Sequence, residues 1–193
     1  MRVIAGQAHG QRLKAPRGLN TRPTSARARE SIFSRLSVRL DFAGIAVLDL
    51  FAGSGSLSCE ALSRGAAHAT LIDSSRAAAA AIAANLAALG LKARARIITA
   101  DVFRGLDDLG AAAARFDLIF IDAPFKNDLS APVLERIAAA GLVAEGGWIV
   151  AEQSKRAAAA PAAPAGLERT NVANLGDHRI AFYRRPDAAP DGS

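Results

Sequence analysis

The sequence offers little from which to build a disulfide or a membrane span. It has one cysteine, Cys59, among 193 residues, so an internal disulfide is excluded, and the helical pattern around it favours a packed small side chain over a reactive thiol. No apolar run approaches the roughly 18 to 20 residues that span a bilayer, and the segment "MRVIAGQAHGQRLK" is too polar and basic for a secretory signal. We therefore expect a cytoplasmic protein with one main hydrophobic core and no membrane partner.

Acidic residues are scarce in the first 40 residues. This segment has nine basic residues against one acid, Glu30, for a net charge of +8, whereas the remaining 153 residues carry 15 basic and 17 acidic groups, or −2. Eight of the nine are arginines, whose planar guanidinium group suits phosphate and can stack on bases. The segment predicts a surface for a polyanion. A solvated basic surface is the alternative, because the whole chain favours arginine, with 20 Arg to 4 Lys.

Beyond residue 45, short apolar runs alternate with helical patterns. Strands are predicted at "IAVLDLF", "HATLID", "ARIITAD", "RFDLIFID" and "GGWIVAEQ", and helices at "SLSCEALSRG", "SSRAAAAAIAANLAALG" and "LSAPVLERIAAAG". This alternation is typical of a mostly parallel sheet with helices on both faces. Two closing strands, "LERTNVANLGD" and "HRIAFYRR", predict an antiparallel hairpin at one edge. Ahead of the sheet, "RVIAG" and "QRLKAP" predict a small hairpin, and "TSARARESIFSRLSVRL" predicts an amphipathic helix.

A glycine turn follows the first predicted strand. The stretch "VLDLFAGSGSLSCEAL" places Asp49 at the strand end, then Gly53 and Gly55, and then a helix. The glycines allow a tight turn and the close approach of a ligand, and the helix N-terminus offers free amide donors. In an open α/β sheet, this arrangement predicts a nucleotide-type site at the carboxyl ends of the strands.

Two further acids follow the next two strands. Asp73 comes 18 residues after Gly55, where a carboxylate can bind both hydroxyls of a ribose, and Asp101 ends strand three, where it or its neighbouring amide can meet an adenine amino group. Each acid alone could be a helix cap, but three at successive strand ends favour a shared ligand. The dinucleotide fingerprint fits poorly, because its third glycine position holds Ser58. Asp49 would repel a pyrophosphate but attract the ammonium group of S-adenosylmethionine, which we expect as the cofactor.

The stretch "FIDAPFK" carries the second predicted site. Asp122 ends the fourth predicted strand, and Ala123, Pro124 and Phe125 follow it. An exocyclic amine on an aromatic ring is a poor nucleophile, because its lone pair is delocalised. Asp122 and the backbone carbonyl of Ala123 can accept its two N–H bonds, while Phe125 stacks on the ring. Such a turn would orient the nitrogen for in-line attack on a methyl group, so that positioning supplies most of the catalysis without a metal.

Both sites resemble those of the amino-group methyltransferases, whose motifs read F-x-G-x-G and [DNS]-P-P-[YFW]. The front segments "IAGQAHGQRL" and "TRPTSARARESIFSRL" resemble the RsmD-type bacterial 16S ribosomal RNA (guanine-N2)-methyltransferases, and the similarity continues through "NLAALGL" and "VAEQSK" over nearly the whole chain. The resemblance implies a Rossmann-like class I methyltransferase fold of the α/β class. Its elements would be a mostly parallel seven-stranded sheet, a C-terminal antiparallel hairpin and a small N-terminal basic hairpin-plus-helix extension.

The resemblance also implies a reaction, a substrate and a division of the chain. The reaction would be methylation of the exocyclic N2 of one guanine in 16S rRNA, presented as naked RNA or within a 30S assembly particle. We expect a basic RNA-binding extension over residues 1–40, a methyltransferase domain over 41–186 and a disordered tail over 187–193. The active species is expected to be a monomer.

Individual residues are assigned by position within the family motifs. The cofactor site would comprise Asp49, Phe51, Gly53, Gly55, Asp73, Asp101 and Val102. The catalytic turn would comprise Asp122, Ala123, Pro124 and Phe125. RNA contacts would come from Arg12, Arg22, Thr24, Arg27 and Arg29, and no metal is expected. The family has proline where this chain has Ala123, so the turn keeps its carbonyl acceptor but loses a stiffening ring.

Two alternatives stay open on the sequence alone. The stretch "DAPF" does not specify which amine it holds, so a DNA adenine or a small molecule could replace the guanine. The substitution at Ala123 is also compatible with a catalytically impaired homologue that binds RNA without methylating it.

Overall fold

One mixed sheet organises the chain. The computed structural model describes residues 1–16, 26–124, 129–157 and 159–188. Its strands are β1 Ala46–Leu50, β2 His68–Asp73, β3 Ala95–Thr99, β4 Phe116–Asp122, β5 Val143–Ser154, β6 Glu168–Leu175 and β7 His178–Arg184. They lie in the order β3-β2-β1-β4-β5-β7-β6. Strands β1 to β5 are parallel, and β7 pairs antiparallel with both β5 and β6. The predicted seven-stranded, mostly parallel α/β sheet with a C-terminal hairpin is confirmed.

Five α-helices connect or precede these strands in the described ranges. They are α1 Ala26–Leu36, α2 Ser56–Ser63, α3 Arg76–Ala88, α4 Val102–Ala111 and α5 Ser130–Ala139. Ser75 caps α3, because its hydroxyl accepts from the amide of Ala78 at 3.3 Å. None of the helices in these ranges is long and apolar enough to cross a bilayer.

Helix α4 was not expected from the sequence. Its stretch "VFRGLDDLGA" holds two glycines and two aspartates, which are weak helix formers. The helix packs closely on the sheet at Gly105, where a Cβ atom would lie only 2.8 Å from Cδ1 of Ile72. Close packing, rather than local propensity, therefore explains the helix and its glycine.

The sheet separates two hydrophobic clusters. On one face, α1, α2, α3 and the N-terminal hairpin pack against residues such as Leu118 and Phe120. On the other face, α4 and α5 pack against residues such as Ile119 and Ile121. The alternation along β4 follows from the period-two geometry of a strand whose faces are both covered.

The N-terminal segment contributes to the first of these clusters. Residues Arg2 and Arg12 form an isolated antiparallel bridge, as the predicted hairpin requires. Val3, Ala8 and Leu13 from the segment are buried within the cluster. The hairpin is therefore packed on the sheet, and its arginines project from a fixed backbone.

Buried polar groups fasten this hairpin to α2 and α3. The carboxylate of Glu60 accepts from the amides of Ile4 at 2.7 Å and Ala5 at 3.0 Å. Farther along, Asn85 accepts from the amide of Lys14 at 2.8 Å and donates to the carbonyls of Lys14 and Ser54, both at 2.9 Å. Asn85 thus joins the end of the hairpin to the glycine turn after β1.

Replacement of Glu60 by glutamine should destabilise the fold. Glu60 is fully buried, and a glutamine offers only one oxygen where the carboxylate presents two to Ile4, Ala5 and the Nε of Arg64. A donor left unpaired in the core costs about 1–3 kcal/mol. Urea unfolding should show a loss of this size for Glu60→Gln.

The matched control is Glu135→Gln, which makes the same change at an exposed position of α5. Its unfolding midpoint should stay close to that of the wild type. Equal midpoints for the two variants would contradict a fastening role for Glu60.

Candidate active site

The carboxyl ends of four adjacent parallel strands bring acidic side chains to one face of the sheet. Asp49 pairs in register with Leu71 and Phe120. Asp73 and Asp122 lie two residues beyond these partners, and therefore on the same face. Glu152 is the register partner of Asp122 on β5. The predicted acids of strands one, two and four are thus brought together at the edge where open α/β sheets bind ligands.

The glycine turn after β1 has a left-handed backbone at three positions. Phe51, Gly53 and Gly55 have φ values of 58°, 56° and 71°. A non-glycine residue in this region is strained by about 1–3 kcal/mol, and such strain is typical of functional turns. At Gly55 a Cβ atom would lie 3.1 Å from Leu71 and 3.3 Å from Ile82, so both the conformation and the space require glycine.

Asp73 holds this turn in place. One carboxylate oxygen accepts from the amide of Gly53 at 2.8 Å, and the other accepts from the amide of Ser75 at 2.8 Å. An ionised carboxylate has about four acceptor positions, so each oxygen retains capacity for a further donor. Asp73 can therefore order the turn and still bind the hydroxyls of a ribose, which stays a prediction.

Asp49 is buried beneath the turn. Its side chain accepts from the hydroxyl of Ser58 at 2.8 Å and from the amide of Ser58 at 3.2 Å. The pKa of Asp49 is raised to about 7, chiefly by burial; the Ser58 hydrogen bonds oppose this rise, and the nearby Asp122 and Asp73 charges add to it. The carboxylate faces α2 in this structure, and its predicted contact with an ammonium group stays a prediction.

Asp101 and Val102 follow the third strand, one exposed and the other buried. Asp101 is exposed and caps α4, where its carboxylate accepts from the amides of Phe103 at 2.9 Å and Arg104 at 3.4 Å. Val102 is buried in the cluster on the other face of the sheet. The acid therefore has a structural role of its own, and an adenine contact from it or from the neighbouring amide stays a prediction.

The predicted catalytic turn follows β4. Asp122 is half-buried, Ala123 is buried in the second cluster and Pro124 is exposed. Phe125 lies outside the described residues. The carboxylate of Asp122 thus reaches the ligand edge, while the methyl group of Ala123 packs against the core.

The predicted RNA residues fall into three groups. Arg12 and Arg27 are exposed on the hairpin and on α1, whereas Arg22 and Thr24 lie outside the described residues. Arg29 is 1% exposed, and its guanidinium group donates to the carbonyl of Arg2 at 2.6 Å. Burial lowers the pKa of Arg29. The predicted RNA contact is therefore not retained for Arg29, because its side chain faces the hairpin inside the fold.

Two buried residues of this edge were missed in the sequence. Glu152 and His178 are 3% and 7% exposed, and Oε1 of Glu152 lies 2.5 Å from Nδ1 of His178. A signal was present, because the alternation in "GGWIVAEQ" places Glu152 on the same face as the apolar Val150. An acid on the buried face of a strand needs a partner.

Comparisons with known proteins relate the chain to proteins named as methyltransferases. The family described as "Conserved hypothetical protein 95" matches residues 1–184. The putative rRNA methyltransferase YlbH of Bacillus subtilis is 36% identical over 185 residues, covering 96% of this chain and 99% of that protein. The ribosomal RNA small subunit methyltransferase D of Escherichia coli K12 is 35% identical over 192 residues, covering 96% and 90%. The solved structure of the putative methyltransferase YhhF from Escherichia coli has a TM-score of 0.84 at 33% identity, covering 96% of this chain and 98% of that chain.

These similarities identify the fold as that of class I methyltransferases, which take their methyl group from S-adenosylmethionine. The predicted fold class and cofactor are confirmed. The described residues fit such a group, because a Cβ atom at Gly53 would have only the carbonyl oxygen of Phe51 within 4 Å, at 3.8 Å, and Asp73 keeps acceptor capacity beside it.

The raised pKa of Asp49 predicts a pH-dependent effect of Asp49→Asn. The carboxyl group takes up its proton more readily in the folded than in the unfolded protein, so wild-type stability falls as pH rises from about 4 to about 7. Asparagine does not titrate, so the variant should gain stability relative to the wild type across this range. Urea unfolding at pH 4, 5.5 and 8 measures the difference.

Asp108→Asn makes the same change at an exposed position of α4. Its difference from the wild type should show no comparable rise with pH. A pH-independent difference for Asp49→Asn would show that Asp49 does not titrate as described.

Proposed function

The chain belongs to the family described as "Conserved hypothetical protein 95", and from that premise we propose that it methylates the exocyclic N2 of one guanine in 16S rRNA. Relatives at 35–36% identity are named as rRNA methyltransferases, which supports ribosomal RNA as the substrate class. The observation that carries the proposal is the position of Asp122 and Ala123 at the end of β4, beside the acids and the glycine turn of β1 and β2. Guanine N2 is an amine of the kind that such a turn can hold.

The cofactor site would extend across the ends of β1, β2 and β3. S-adenosylmethionine supplies an electrophilic methyl group carried by a sulfonium. We assign the turn at Phe51, Gly53 and Gly55 to its close approach, and Asp73 to its ribose. Asp49 would attract its ammonium group, and the loop at Asp101 and Val102 would border its adenine.

The amine site would lie at the end of β4. The carboxylate of Asp122 and the carbonyl of Ala123 would each accept one N–H of the guanine amine, drawing the nitrogen away from planarity. Phe125, by its place in the motif, would stack on the base. Held in this way, the nitrogen lone pair points at the methyl group, and the turn contributes mainly by orientation.

The RNA surface would be formed by the N-terminal extension. Arg12 and Arg27 project from elements that are packed on the sheet, so their charges hold fixed positions relative to the amine site. Arg22 and Thr24 would join them by their place in the family motif. Among the described basic residues, these two arginines are the ones proposed to contact phosphate.

Labelled S-adenosylmethionine tests the proposed reaction directly. The protein is incubated with 16S rRNA, or with 30S particles from cells that lack the enzyme, and the labelled nucleotide is identified. One labelled guanine carrying a methyl group on N2 is the expected result. Labelled DNA adenine or a labelled metabolite would identify another amino methyltransferase. Tight RNA and cofactor binding without any methyl transfer would identify an impaired homologue, provided that Ala123→Pro restores the transfer.

Replacement of Asp122 by alanine should abolish methyl transfer. The carboxylate is proposed to position the amine rather than to bind the cofactor, so cofactor affinity should change by no more than a few fold. Single-turnover transfer and calorimetric cofactor binding measure the two effects separately. Asp108→Ala, on the exposed surface of α4, is the control that should leave both intact. A parallel loss of cofactor affinity in Asp122→Ala would place the residue in the cofactor site.

Removal of the charge at Arg27 should weaken RNA binding and reduce its dependence on salt. Each lost phosphate contact lowers the slope of log affinity against log salt by roughly 0.7 to 0.9. Filter binding of 16S rRNA by Arg27→Ala at several salt concentrations measures the slope. The control is Arg96→Ala, which removes an exposed charge from β3 on the far side of the sheet. Equal slopes for the two variants would contradict an RNA contact at Arg27.

A further inference from the structure

A buried acid and a buried histidine lie beside the proposed amine site, and the proposed reaction assigns neither of them a role. Glu152 lies on β5, and His178 begins β7 directly after the turn of the C-terminal hairpin. Their side chains meet through Oε1 and Nδ1 at 2.5 Å. Both face the same side of the sheet as Asp122, because Ser154 is the register partner of His178 and lies two residues beyond Glu152.

Glu152 lies beside Asp122 in the sheet. The two residues are register partners on adjacent parallel strands, which lie about 4.8 Å apart. Their Cβ atoms therefore point in the same direction from neighbouring strands. An ionised Glu152 beside a neutral His178 would act on Asp122 at short range, because Glu152 is 3% exposed and water screens the charge little.

Burial of this pair is costly for a purely structural element. Isolated ionised groups lose several kcal/mol of hydration on burial, and an apolar pair of similar size often stabilises a fold as well or better. The positions before Glu152 on its face, Trp148 and Val150, are apolar. The change to an acid occurs at the level of Asp122, where the ligand edge begins.

We propose that Glu152, held in place by His178, is a positioning residue that raises the proton affinity of Asp122 and so strengthens its grip on the substrate amine. The inference deepens the proposed function, since it rests on Asp122 as the amine acceptor. A neighbouring negative charge disfavours a second one, and a more basic carboxylate accepts a hydrogen bond and a proton more readily.

Methyl transfer to an amine releases a proton, and a raised proton affinity of Asp122 would help it to accept this proton. The amine nitrogen forms a bond to the methyl carbon while the bond from that carbon to sulfur breaks, and the electron pair of that bond stays on sulfur. The nitrogen then carries a positive charge and must release one proton. Asp122 accepts it, and the charge on Glu152 stabilises the protonated form of Asp122.

The other charged groups described near Asp122 differ from Glu152 in position. Asp49 lies on β1, level with Phe120 rather than with Asp122, and its charge interaction with Asp122 is present with or without Glu152. Arg179 follows His178 and therefore projects from the other face, where it donates to the carbonyls of Ala157 and Lys155. Glu152 is the acid that lies level with Asp122.

A thiol at position 122 can report the local charge without any RNA. In Asp122→Cys, the ionisation of the new thiol is followed by its thiolate absorbance as pH is raised. Cys59 stays silent, because burial raises its pKa to about 12. Adding Glu152→Gln removes the neighbouring charge and should lower the midpoint of the new thiol by about half a pH unit or more.

The matched control is Asp122→Cys with Glu168→Gln, which makes the same change at an exposed position of β6. It should leave the midpoint where Asp122→Cys alone has it. An unchanged midpoint in the Glu152→Gln double variant would overturn the proposed effect of Glu152. The result does not depend on rRNA methylation, so it separates this inference from the proposed function.

Kinetics of Glu152→Gln with Asp122 intact test the consequence for catalysis. We expect kcat to fall about tenfold with the KM for rRNA within about threefold, because a less basic Asp122 still binds the base. The acid limb of the pH–kcat profile should move to lower pH, because Asp122 then ionises more easily. Glu152→Asp, which keeps the charge, should restore part of the rate. A lower kcat with an unmoved acid limb and no rescue would indicate a structural role and overturn the inference.

Discussion

The parallel pairing of β1 with β4 is the constraint on which the site depends. The strand order reverses at this pair, because β2 and β3 lie to one side and β5 and β7 to the other. The connections leaving β1 and β4 therefore diverge, and a crevice opens between them at the carboxyl edge. Because Asp49 pairs in register with Phe120, the glycine turn after β1 and the turn after Asp122 lie next to each other at this edge. A slip of one residue would move Asp122 to the opposite face.

The turn after β1 shows how the fold maintains a strained conformation. Phe51 has a left-handed backbone, which local preferences disfavour. The amide of Ala52 donates to the carbonyl of Ile72 at 3.1 Å, and the amide of Gly53 donates to Asp73 at 2.8 Å. Two contacts to β2 thus fix the turn directly after its strained residue, and the turn is preorganised before a ligand arrives.

Sequence reasoning was most successful where the pattern itself reflects packing. The strand "HATLID" was predicted with the observed bounds of β2, because both of its faces are buried and its ends carry polar residues. The acids at 49, 73 and 122 were found because parallel strands place their ends at one edge. Helix α4 was missed because its glycines allow close packing, of Gly105 on Ile72 and of Gly110 on Ala140, that local sequence does not reveal. Arg29 was assigned to RNA because charge alone does not distinguish an exposed arginine from one that is bound to a backbone carbonyl inside the fold.

Asn85 links the two halves of the proposed function. Its side chain is bonded to Lys14 at the end of the basic hairpin and to Ser54 in the glycine turn, so the two segments share one rigid contact. A ligand that ordered or displaced either segment would act on the other through this amide. Thermodynamic linkage requires such an effect to be reciprocal. If the hairpin binds RNA and the glycine turn binds the methyl donor, as proposed, the hydrogen bonds of Asn85 would couple the affinities for the two.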